Sequence, residues 1–437
     1  MTDYLIQGPT KLTGEVRIQG SKNSAMKHVI IPLIKNGVYI IANIPNISSI
    51  TSLLAIVEYL GGEVNWDGNS VTIDTSLVNS PKVIPADLFY HTSGGIQLIP
   101  ILVNRFGYCE VENGNRDDTG GDNIGRSMKL VEESFEKFGI SIKRSKTKVL
   151  YKLVSKDSFD FTVPSRLFGP SMLAVFSALG KNGVSKIRNP HLGPEFENIL
   201  DYLMFLGIKI KRSKSLLLVS GSIIPNKKVF NNIFDRHDFI TFLSAALCTG
   251  SELVVNEVNH NYLKLDSLKL FLKQSKVKIK FYKSKDKCIV HHNDISKLSP
   301  INLVASDFPN FVTEWQVLLS PLFALIRGRS FITDGIFKNR MNHWKELSKM
   351  GANFKFAKTS SFKERDDKYR SIEVYGPTSF HPAVVNSLDL RTGAALLIAG
   401  LLCTGQTRLK DPNDNIKRGY ENLVGRMIQL GANIRTI

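Results

Sequence analysis

Five basic side chains lie in short polar motifs that interrupt otherwise apolar stretches of the chain. Basic residues outnumber acidic ones by 57 to 39, so part of this excess can converge on a small, highly anionic substrate. Arginine suits such a substrate because its planar guanidinium matches the oxygens of carboxylate and phosphate groups. The five residues are Lys22 in SKNSAM, Arg126 in GGDNIGR, Arg340 in IFKNR, Arg391 in LDLRTGAAL and Arg418 in KRGYENL.

The net charge of +18 also has two other interpretations. A basic surface can neutralise the phosphates of a nucleic acid, but the lysines are dispersed through the sequence and form no recognised nucleic-acid motif. They can equally form a solvated face of a lysine-rich protein. We therefore expect no nucleic acid among the partners.

Asp122 is the acidic residue with the clearest chemical potential. It lies in GGDNIGR (120–126), whose glycines favour a mobile loop that can close over a substrate. A carboxyl group in a dry, closed site can act as a proton donor, because burial raises its pKa from about 3.9 toward neutrality. Alternatively, Asp122 is a solvated loop residue, since Asp117 and Asp118 precede it.

A repeated unit of roughly 67 to 78 residues positions these motifs, and this period fits a whole βα module. Each copy has a turn glycine, an alternating apolar strand and then Asn or Asp. A second glycine series follows helical apolar patterns, as expected for helices that end in a left-handed cap. The fourth module lacks this glycine, and its cap falls at Ser275. The first series is Gly37, Gly107, Gly183, Gly250, Gly328 and Gly405, and the second is Gly61, Gly139, Gly207, Gly351 and Gly431.

The bulk properties are typical of a large cytoplasmic enzyme. With 437 residues, 43% of them hydrophobic, the chain can bury one or two substantial cores. No apolar run approaches the roughly 20 residues that span a bilayer, and the amino terminus does not have the form of a signal peptide. The cysteines are scattered without a CxxC pair, which predicts buried free thiols rather than disulfides or a metal site. They are Cys109, Cys248, Cys288 and Cys403.

Six motifs occur in the order found in the enolpyruvyl transferases, the EPSP synthase superfamily, and the chain most resembles the branch that acts on UDP-N-acetylglucosamine. They are SKNSAM, GGDNIGR, TEWQ (313–316), IFKNR, LDLRTGAAL and KRGYENL. The resemblance covers essentially the whole chain. It implies an α/β fold of two inverse α/β prism domains, each built of three modules with buried helices and outer sheets. The first domain would comprise 22–232 and the second 1–21 plus 233–437.

The resemblance implies transfer of the enolpyruvyl group of phosphoenolpyruvate to an acceptor hydroxyl with release of phosphate, in peptidoglycan synthesis and without a cofactor or metal. Addition needs a proton for the vinyl carbon and a base for the hydroxyl. The five cations would bind phosphoenolpyruvate, and Asp122 would be the general acid where many relatives have a cysteine that fosfomycin alkylates. Glu314 stands where the family has the aspartate that accepts the hydroxyl proton. Asp389 is the third expected catalytic carboxylate, although it could instead orient Arg391 or a neighbouring helix.

The acceptor side departs from the family pattern. Serines replace an expected lysine and an expected arginine, and bulky residues replace small ones in a loop that contacts a diphosphate. Loss of such polar partners should change specificity. The replacements are Ser48, Ser93, Leu167 and Phe168. The residues expected to bind the acceptor are Asn23, Ser127, Met128, Lys129, Leu130, Glu314 and Ile336.

Three hypotheses therefore remain for the function. In the first, the enzyme uses UDP-N-acetylglucosamine as the acceptor. In the second, it performs the same chemistry on another acceptor, such as the nucleotide UMP, in a specialised pathway. In the third, the protein has no catalytic activity and only binds nucleotides. Retention of Lys22, Asp122, Arg391 and Arg418 argues against the third. In either enzyme, Asp122 offers no thiolate, so we expect fosfomycin insensitivity.

Overall fold

The computed structural model describes residues 2–90, 94–114, 131–259, 262–282, 286–337, 339–357 and 371–437. The chain divides into two compact units, each described by itself below. Unit I is Gly20–Ile233, and unit II combines Met1–Gln19 with Phe234–Ile437.

Short strands and helices alternate along the whole chain. The strands are β1 (Thr2–Gly8), β2 (Thr13–Arg17), β3 (Val38–Ala42), β4 (Glu63–Asp67), β5 (Ser70–Asp74), β6 (Tyr108–Glu112), β7 (Ile140–Arg144), β8 (Lys148–Leu153), β9 (Asp160–Thr162), β10 (Ser185–Arg188), β11 (Lys209–Arg212), β12 (Leu216–Ser220), β13 (Val229–Asn231), β14 (Glu252–Asn256), β15 (Ile279–Tyr282), β16 (Lys287–Val290), β17 (Asn302–Ala305), β18 (Gly328–Asp334), β19 (Phe354–Ala357), β20 (Ser371–Gly376), β21 (Val384–Asn386), β22 (Gly405–Asp411) and β23 (Asn433–Thr436).

The α-helices are α1 (Lys22–His28), α2 (Ser48–Tyr59), α3 (Ala86–Tyr90), α4 (Gly95–Phe106), α5 (131–137), α6 (Phe168–Ala178), α7 (Pro194–Phe205), α8 (Arg236–Cys248), α9 (Asp266–Gln274), α10 (Thr313–Leu318), α11 (Ser320–Leu325), α12 (His343–Ser348), α13 (Leu390–Gly400) and α14 (Leu423–Gln429). Short 3-10 helices cover Ile31–Ile34, Pro164–Arg166, Ile295–Lys297 and Arg340–Asn342.

Each unit carries three sheets in its described residues. Those of unit I have the orders β13-β3-β5-β4, β6-β8-β7 and β11-β12-β10-β9, and those of unit II have the orders β21-β22-β1-β23, β15-β16-β14-β2 and β17-β18-β20-β19. Five of the sheets share one plan, in which one edge strand pairs in parallel and the other pairings are antiparallel. In the sheet of β6, a single parallel bridge between Ile84 and Val111 stands at the place of that edge strand.

The glycines of both repeat series have positive φ, from 62° at Gly250 to 156° at Gly37. Glycine adopts this backbone without the steric cost that a Cβ brings. In the fourth module Ser275 caps α9, as the sequence predicts, but the left-handed residue is the next one, Lys276, with φ of 62°. The module therefore keeps the backbone turn although it lacks the glycine.

The helices form the cores of both units. In α8 every residue from Arg236 to Cys248 is buried, and in α13 every residue from Arg391 to Gly400 is buried. A helix that is apolar on all faces needs such surroundings. The four cysteines are buried and free, so this prediction is confirmed.

Three predicted site residues lie in the first turn of a helix. Lys22 begins α1, Glu314 is the second residue of α10, and Arg391 is the second residue of α13.

Candidate active site

Glu314 and Arg340 form an ion pair in unit II. Arg340 Nη1 lies 3.6 Å from Glu314 Oε1 and donates to Thr313 Oγ1 at 2.7 Å. The Thr313 hydroxyl in turn donates to Glu314 Oε2 at 3.1 Å. The guanidinium also stacks 4.0 Å from the centre of the Phe337 ring. These contacts hold one cation and one carboxylate in a fixed geometry. Both side chains remain partly accessible to solvent, with 17% of Arg340 and 28% of Glu314 exposed.

The charges of this pair act on two further carboxylates, Asp307 and Asp334. Asp334 is fully buried, and its Oδ1 accepts from the N–H groups of Ile336 and Phe337 at 2.9 and 2.8 Å. Burial, together with the negative charges of Glu314 and Asp334, raises the pKa of Asp307 to about 6. Asp307 therefore titrates much closer to neutral pH than an ordinary aspartate.

The pKa of Glu314 shifts in the opposite direction. Burial acts to raise it, but the positive charges of Arg340, His237 and Arg391 outweigh burial and hold it well below its usual range. Glu314 is therefore ionised at neutral pH. The two carboxyl groups have pKa values pushed apart by their surroundings, an arrangement common among acid and base pairs in active sites.

Asp389 caps the helix that carries Arg391. Its Oδ1 accepts from the N–H groups of Arg391 and Thr392, both at 2.8 Å. This is the N-cap geometry that Asp favours, because the side-chain oxygen satisfies donors without an intrahelical partner. The side chain is exposed. The structure thus gives Asp389 the orienting contact that the sequence offered as an alternative to catalysis.

Arg391 is the most buried of the predicted cations that the structure describes in unit II, with 8% of its surface exposed. Its guanidinium lies 5.3 Å from the centre of the Tyr420 ring, and the Tyr420 hydroxyl is 2.8 Å from Thr241 Oγ1. Burial lowers the pKa of Arg391, but Tyr420, Asp235 and Glu314 outweigh burial and raise it. Arg391 therefore remains a cation in a largely dry setting, where its charge acts strongly.

Asp235 is a candidate that sequence reasoning missed. It caps α8 as Asp389 caps α13, since its Oδ1 accepts from the N–H groups of His237 at 2.8 Å and Asp238 at 3.4 Å. Its charge also acts on Arg391. The signal in the sequence was an aspartate directly before a buried helix in both DRHDF and LDLRT.

Arg418 and Ile336 lie on turns of unit II. Arg418 is half-buried, and its guanidinium donates to Asn415 Oδ1 over 3.4 Å. Ile336 follows β18, and its N–H group donates to Asp334 Oδ1 at 2.9 Å.

In unit I, Lys22 and Asn23 open α1 with partly exposed side chains. Ser48 begins α2, and its carbonyl oxygen accepts from the Ser52 hydroxyl at 2.7 Å. Leu167 precedes α6 and Phe168 begins it. The other predicted site residues of this part lie outside the described residues: Ser93, Asp122, Arg126, Ser127, Met128, Lys129 and Leu130.

The family model of EPSP synthase (3-phosphoshikimate 1-carboxyvinyltransferase) matches residues 6–427. The chain belongs to this family. It is 30% identical over 100% of its length to UDP-N-acetylglucosamine 1-carboxyvinyltransferase of Campylobacter fetus, covering 99% of that protein. It is 28% identical to the protein of the same name from Sulfurovum, with 98% of this chain and 97% of that protein covered. The chain is therefore a carboxyvinyltransferase that transfers an enolpyruvyl group.

Solved structures of this family share the fold along the whole chain. The enolpyruvyl transferase NikO from Streptomyces tendae superposes with a TM-score of 0.86 at 21% identity, with 100% of this chain and 99% of that chain covered. EPSP synthase from Acinetobacter baumannii gives a TM-score of 0.72 at 14% identity over 100% of both chains. The predicted fold class is confirmed.

Two further observations concern metal binding and membrane-spanning helices. Within the described ranges, no group of three or more His, Cys, Asp or Glu side chains could hold a metal ion. Among the helices that the structure describes, none combines the length and apolar character needed to cross a membrane.

Proposed function

We propose that this carboxyvinyltransferase moves the enolpyruvyl group of phosphoenolpyruvate to a hydroxyl of UDP-N-acetylglucosamine and releases phosphate. The observation that carries the proposal is the match to relatives of that name over the full length of both chains. A match of this extent includes every repeat module, so it is not the likeness of one shared domain.

Phosphoenolpyruvate carries a carboxylate and a phosphate on a small carbon frame, so its binding site needs several cations. We assign this role to Lys22, Arg126, Arg340, Arg391 and Arg418. The geometry of unit II supports two of these assignments. Arg340 is oriented by Thr313 and Phe337, and Arg391 is buried beside Tyr420. Side chains that are held in place before the substrate arrives lose less entropy on binding.

The reaction requires balanced proton transfers. In the addition step a proton is delivered to the methylene carbon of phosphoenolpyruvate, the acceptor oxygen bonds to the central carbon, and the hydroxyl loses its proton to a base. In the elimination step the methyl group loses a proton and the bond from the central carbon to the phosphate oxygen breaks. We assign the role of proton donor in the addition step to Asp122 and the role of base to Glu314. Asp389 is the third carboxylate assigned to the reaction centre.

The depressed pKa of Glu314 favours its role as a base in one respect and opposes it in another. Because Arg340, His237 and Arg391 depress its pKa, the carboxylate is ionised and able to accept a proton. The same cations make it a weak base, since base strength falls with pKa. Binding of anionic phosphoenolpyruvate to Arg340 and Arg391 would offset their charge and raise the basicity of Glu314 when the substrate is in place.

The acceptor site is assigned to Asn23, Glu314 and Ile336 together with Ser127, Met128, Lys129 and Leu130. Asn23 supplies an amide on the partly exposed start of α1, and Glu314 supplies a carboxylate. A neutral sugar hydroxyl needs such hydrogen-bonding groups, and a site built on them rejects analogues that leave them unpaired.

A second acceptor class is supported by the departures on this side of the site. Ser48 begins α2 without a charge, and Phe168 puts an aromatic ring at the first position of α6. An acceptor with a different shape, such as the nucleotide UMP, would use the same proton transfers. The cations assigned to phosphoenolpyruvate are unchanged in this alternative.

The experiment is phosphate release from phosphoenolpyruvate by the purified protein, with UDP-N-acetylglucosamine, UMP or no acceptor added. Release that depends on UDP-N-acetylglucosamine supports the first proposal, and release with UMP alone supports the second. If neither acceptor causes phosphate release, both proposals are contradicted. The Arg391→Met variant controls for contaminating phosphatase, because it should lose any release that depends on this site.

A further inference from the structure

Gln19 is a buried glutamine whose side chain holds a loop 400 residues farther along the chain. Its Nε2 donates to the carbonyl oxygen of Gly419 at 2.9 Å, and its Oε1 accepts from the N–H group of Glu421 at 2.7 Å. Only 5% of its surface is exposed. Because an unbonded amide is costly to bury, these two bonds keep the glutamine and the loop together. The loop comprises residues 418–421, with the sequence RGYE.

The backbone of Gln19 is itself held on both sides. Its N–H group donates to Asp238 Oδ2 at 2.9 Å, and its carbonyl oxygen accepts from the N–H group of Asp235 at 2.8 Å. Arg426 binds both oxygens of the fully buried Asp238, at 2.6 and 2.9 Å, and also donates to Gln19 Oε1 over 3.3 Å. A bidentate pair of this kind fixes geometry as well as charge. Gln19 is therefore a rigid point of attachment for the loop.

The loop 418–421 contacts the start of helix α13. A Cβ atom at Gly419 would lie 2.5 Å from the side chain of Leu390, so the glycine allows close approach to the residue before Arg391. Tyr420 lies between the two residues that Gln19 holds, and its ring centre is 5.3 Å from the Arg391 guanidinium. A shift of the loop would therefore alter both contacts with the start of α13.

Two arginine nitrogen atoms at this place are buried without a hydrogen-bond partner in the part of the chain that the structure describes. They are Arg391 Nη1 and Arg418 Nε. Buried charged donors without acceptors are costly, so an anionic ligand that accepts from them would be favoured. One small anion can reach both side chains only if the distance between the loop and α13 is fixed.

We propose that Gln19 is a positioning residue for phosphoenolpyruvate, since it holds the loop 418–421 against α13 and thereby fixes Arg418 relative to Arg391. The inference rests on the proposed function, because it takes these two arginines as cations that bind phosphoenolpyruvate. Gln19 acts through the loop and does not contact the substrate. A clamp that served only the fold would lower the melting temperature when removed and leave the affinity for phosphoenolpyruvate unchanged.

The test compares Gln19→Met with a matched control. Methionine has nearly the size of glutamine but cannot replace its two hydrogen bonds. The control is Asn293→Leu, because Asn293 is also buried in unit II and its amide bonds both backbone groups of Lys278, at 2.6 and 3.1 Å. Calorimetric titration measures the affinity for phosphoenolpyruvate, phosphate release measures KM and kcat, and thermal unfolding measures stability.

Both variants should unfold at a lower temperature than the wild type, but only one should bind phosphoenolpyruvate more weakly. We expect Gln19→Met to lose at least about 10-fold in affinity, with KM raised more than kcat is lowered, because the loop carries binding groups and neither the acid nor the base. Asn293→Leu should keep its affinity within about 2-fold of wild type, because its contacts lie elsewhere. Gln19→Glu keeps the acceptor for Glu421 and loses the donor for Gly419, so its affinity should lie between those of wild type and Gln19→Met.

Three outcomes overturn the proposal. The first is an affinity of Gln19→Met within about 2-fold of wild type, which leaves the clamp a structural role only. The second is an equal loss in Asn293→Leu, which makes weaker binding a general effect of destabilisation. The third applies if Gln19→Met does not fold, and it is an unchanged affinity of Gln19→Glu. A wild type that binds phosphoenolpyruvate but releases no phosphate with either acceptor contradicts the proposed function instead, and the titrations still decide the role of Gln19.

Discussion

Arg340 and Glu314 are joined both directly and through the hydroxyl of Thr313. The guanidinium is 3.6 Å from the carboxylate and 2.7 Å from the threonine oxygen, which donates to the same carboxylate. One residue is assigned to phosphoenolpyruvate and the other to the acceptor hydroxyl. From these proposed roles we expect the charge of one substrate to affect the basicity of the group that serves the other.

The first prediction concerns Glu314→Gln. The amide keeps the size of the side chain but cannot accept the hydroxyl proton, so kcat should fall by about 100-fold or more. KM for phosphoenolpyruvate should change little or decrease, because Arg340 is released from its carboxylate. Steady-state phosphate release measures both constants. Glu373→Gln is the matched control, since Glu373 also pairs with an arginine, Arg329, but has no assigned role in the reaction. A kcat of Glu314→Gln within about 3-fold of the wild-type value would show that Glu314 is not the base.

The second prediction concerns Asp307 and the pH dependence of stability. Its pKa is raised to about 6 in the folded protein, whereas an unfolded aspartate titrates near about 3.9. The folded state thus binds this proton more tightly, and the resulting stabilisation is present below about pH 4 and is lost as the pH rises through about 6. From about pH 4 to about pH 7, the unfolding temperature of the wild type should therefore fall relative to that of Asp307→Asn, as measured by thermal unfolding of both proteins.

A control for that prediction follows from the causes of the shift. Burial contributes most, and the charge of Glu314 contributes next. In Glu314→Gln the pKa of Asp307 should fall, and the transition should move to lower pH. An identical pH dependence in wild type and Asp307→Asn would show that Asp307 titrates normally.

Much of the fold follows from local sequence signals. A residue with positive φ at the end of a helix or before a strand is most simply a glycine, so both repeat series mark real turns. Lys276 shows the limit of this signal, because the backbone turn persists there without glycine. Hydrogen bonds from the N–H groups of Lys276 and Val277 to the carbonyl oxygens of Lys273 and Leu272 close that turn, and a single residue type does not reveal it.

The contacts of the candidate site are less predictable. Arg391 and Tyr420 belong to different motifs, and the sequence does not show that the guanidinium lies over the ring. The N-cap role of Asp389 was foreseeable as an alternative, since Asp before an apolar helix commonly caps it. The burial of Lys27, with 5% of its surface exposed, was not foreseeable, because a lysine in the run MKHVIIP carries no sign of its surroundings.

A third prediction separates the two roles of Asp389. In Asp389→Ser the hydroxyl can still accept from the N–H groups of Arg391 and Thr392, whereas Asp389→Ala leaves them without a cap. If the residue only positions Arg391, the serine variant should keep most activity, and the alanine variant should lose about 1 kcal/mol of stability. If the carboxylate takes part in proton transfer, both variants should lose kcat alike. Urea unfolding and phosphate release measured together distinguish these results.

The fourth prediction concerns Asp122, which lies outside the described residues. Fosfomycin should not inactivate the enzyme, because opening of its epoxide ring requires a thiolate and Asp122 has none. Asp122→Ala should lose turnover while phosphoenolpyruvate still binds, measured by titration. Time-dependent inactivation by fosfomycin, or full activity of the alanine variant, would contradict the assignment of Asp122 as the general acid. Asp118→Ala tests whether any loss is specific to position 122.

The last prediction concerns the geometry that Tyr420 gives to Arg391. Arg391→Lys keeps the positive charge but loses the planar fork that can bind two oxygens and stack on the ring, so it is not a conservative change. KM for phosphoenolpyruvate should rise by at least about 10-fold, the loss of one charged hydrogen bond. Tyr420→Phe keeps the ring beneath the guanidinium and removes the hydroxyl, which lies near Thr241 and also acts on Arg391, so its KM should rise less. If Tyr420→Phe is the more damaging variant, the hydroxyl and not the stacked ring orients Arg391.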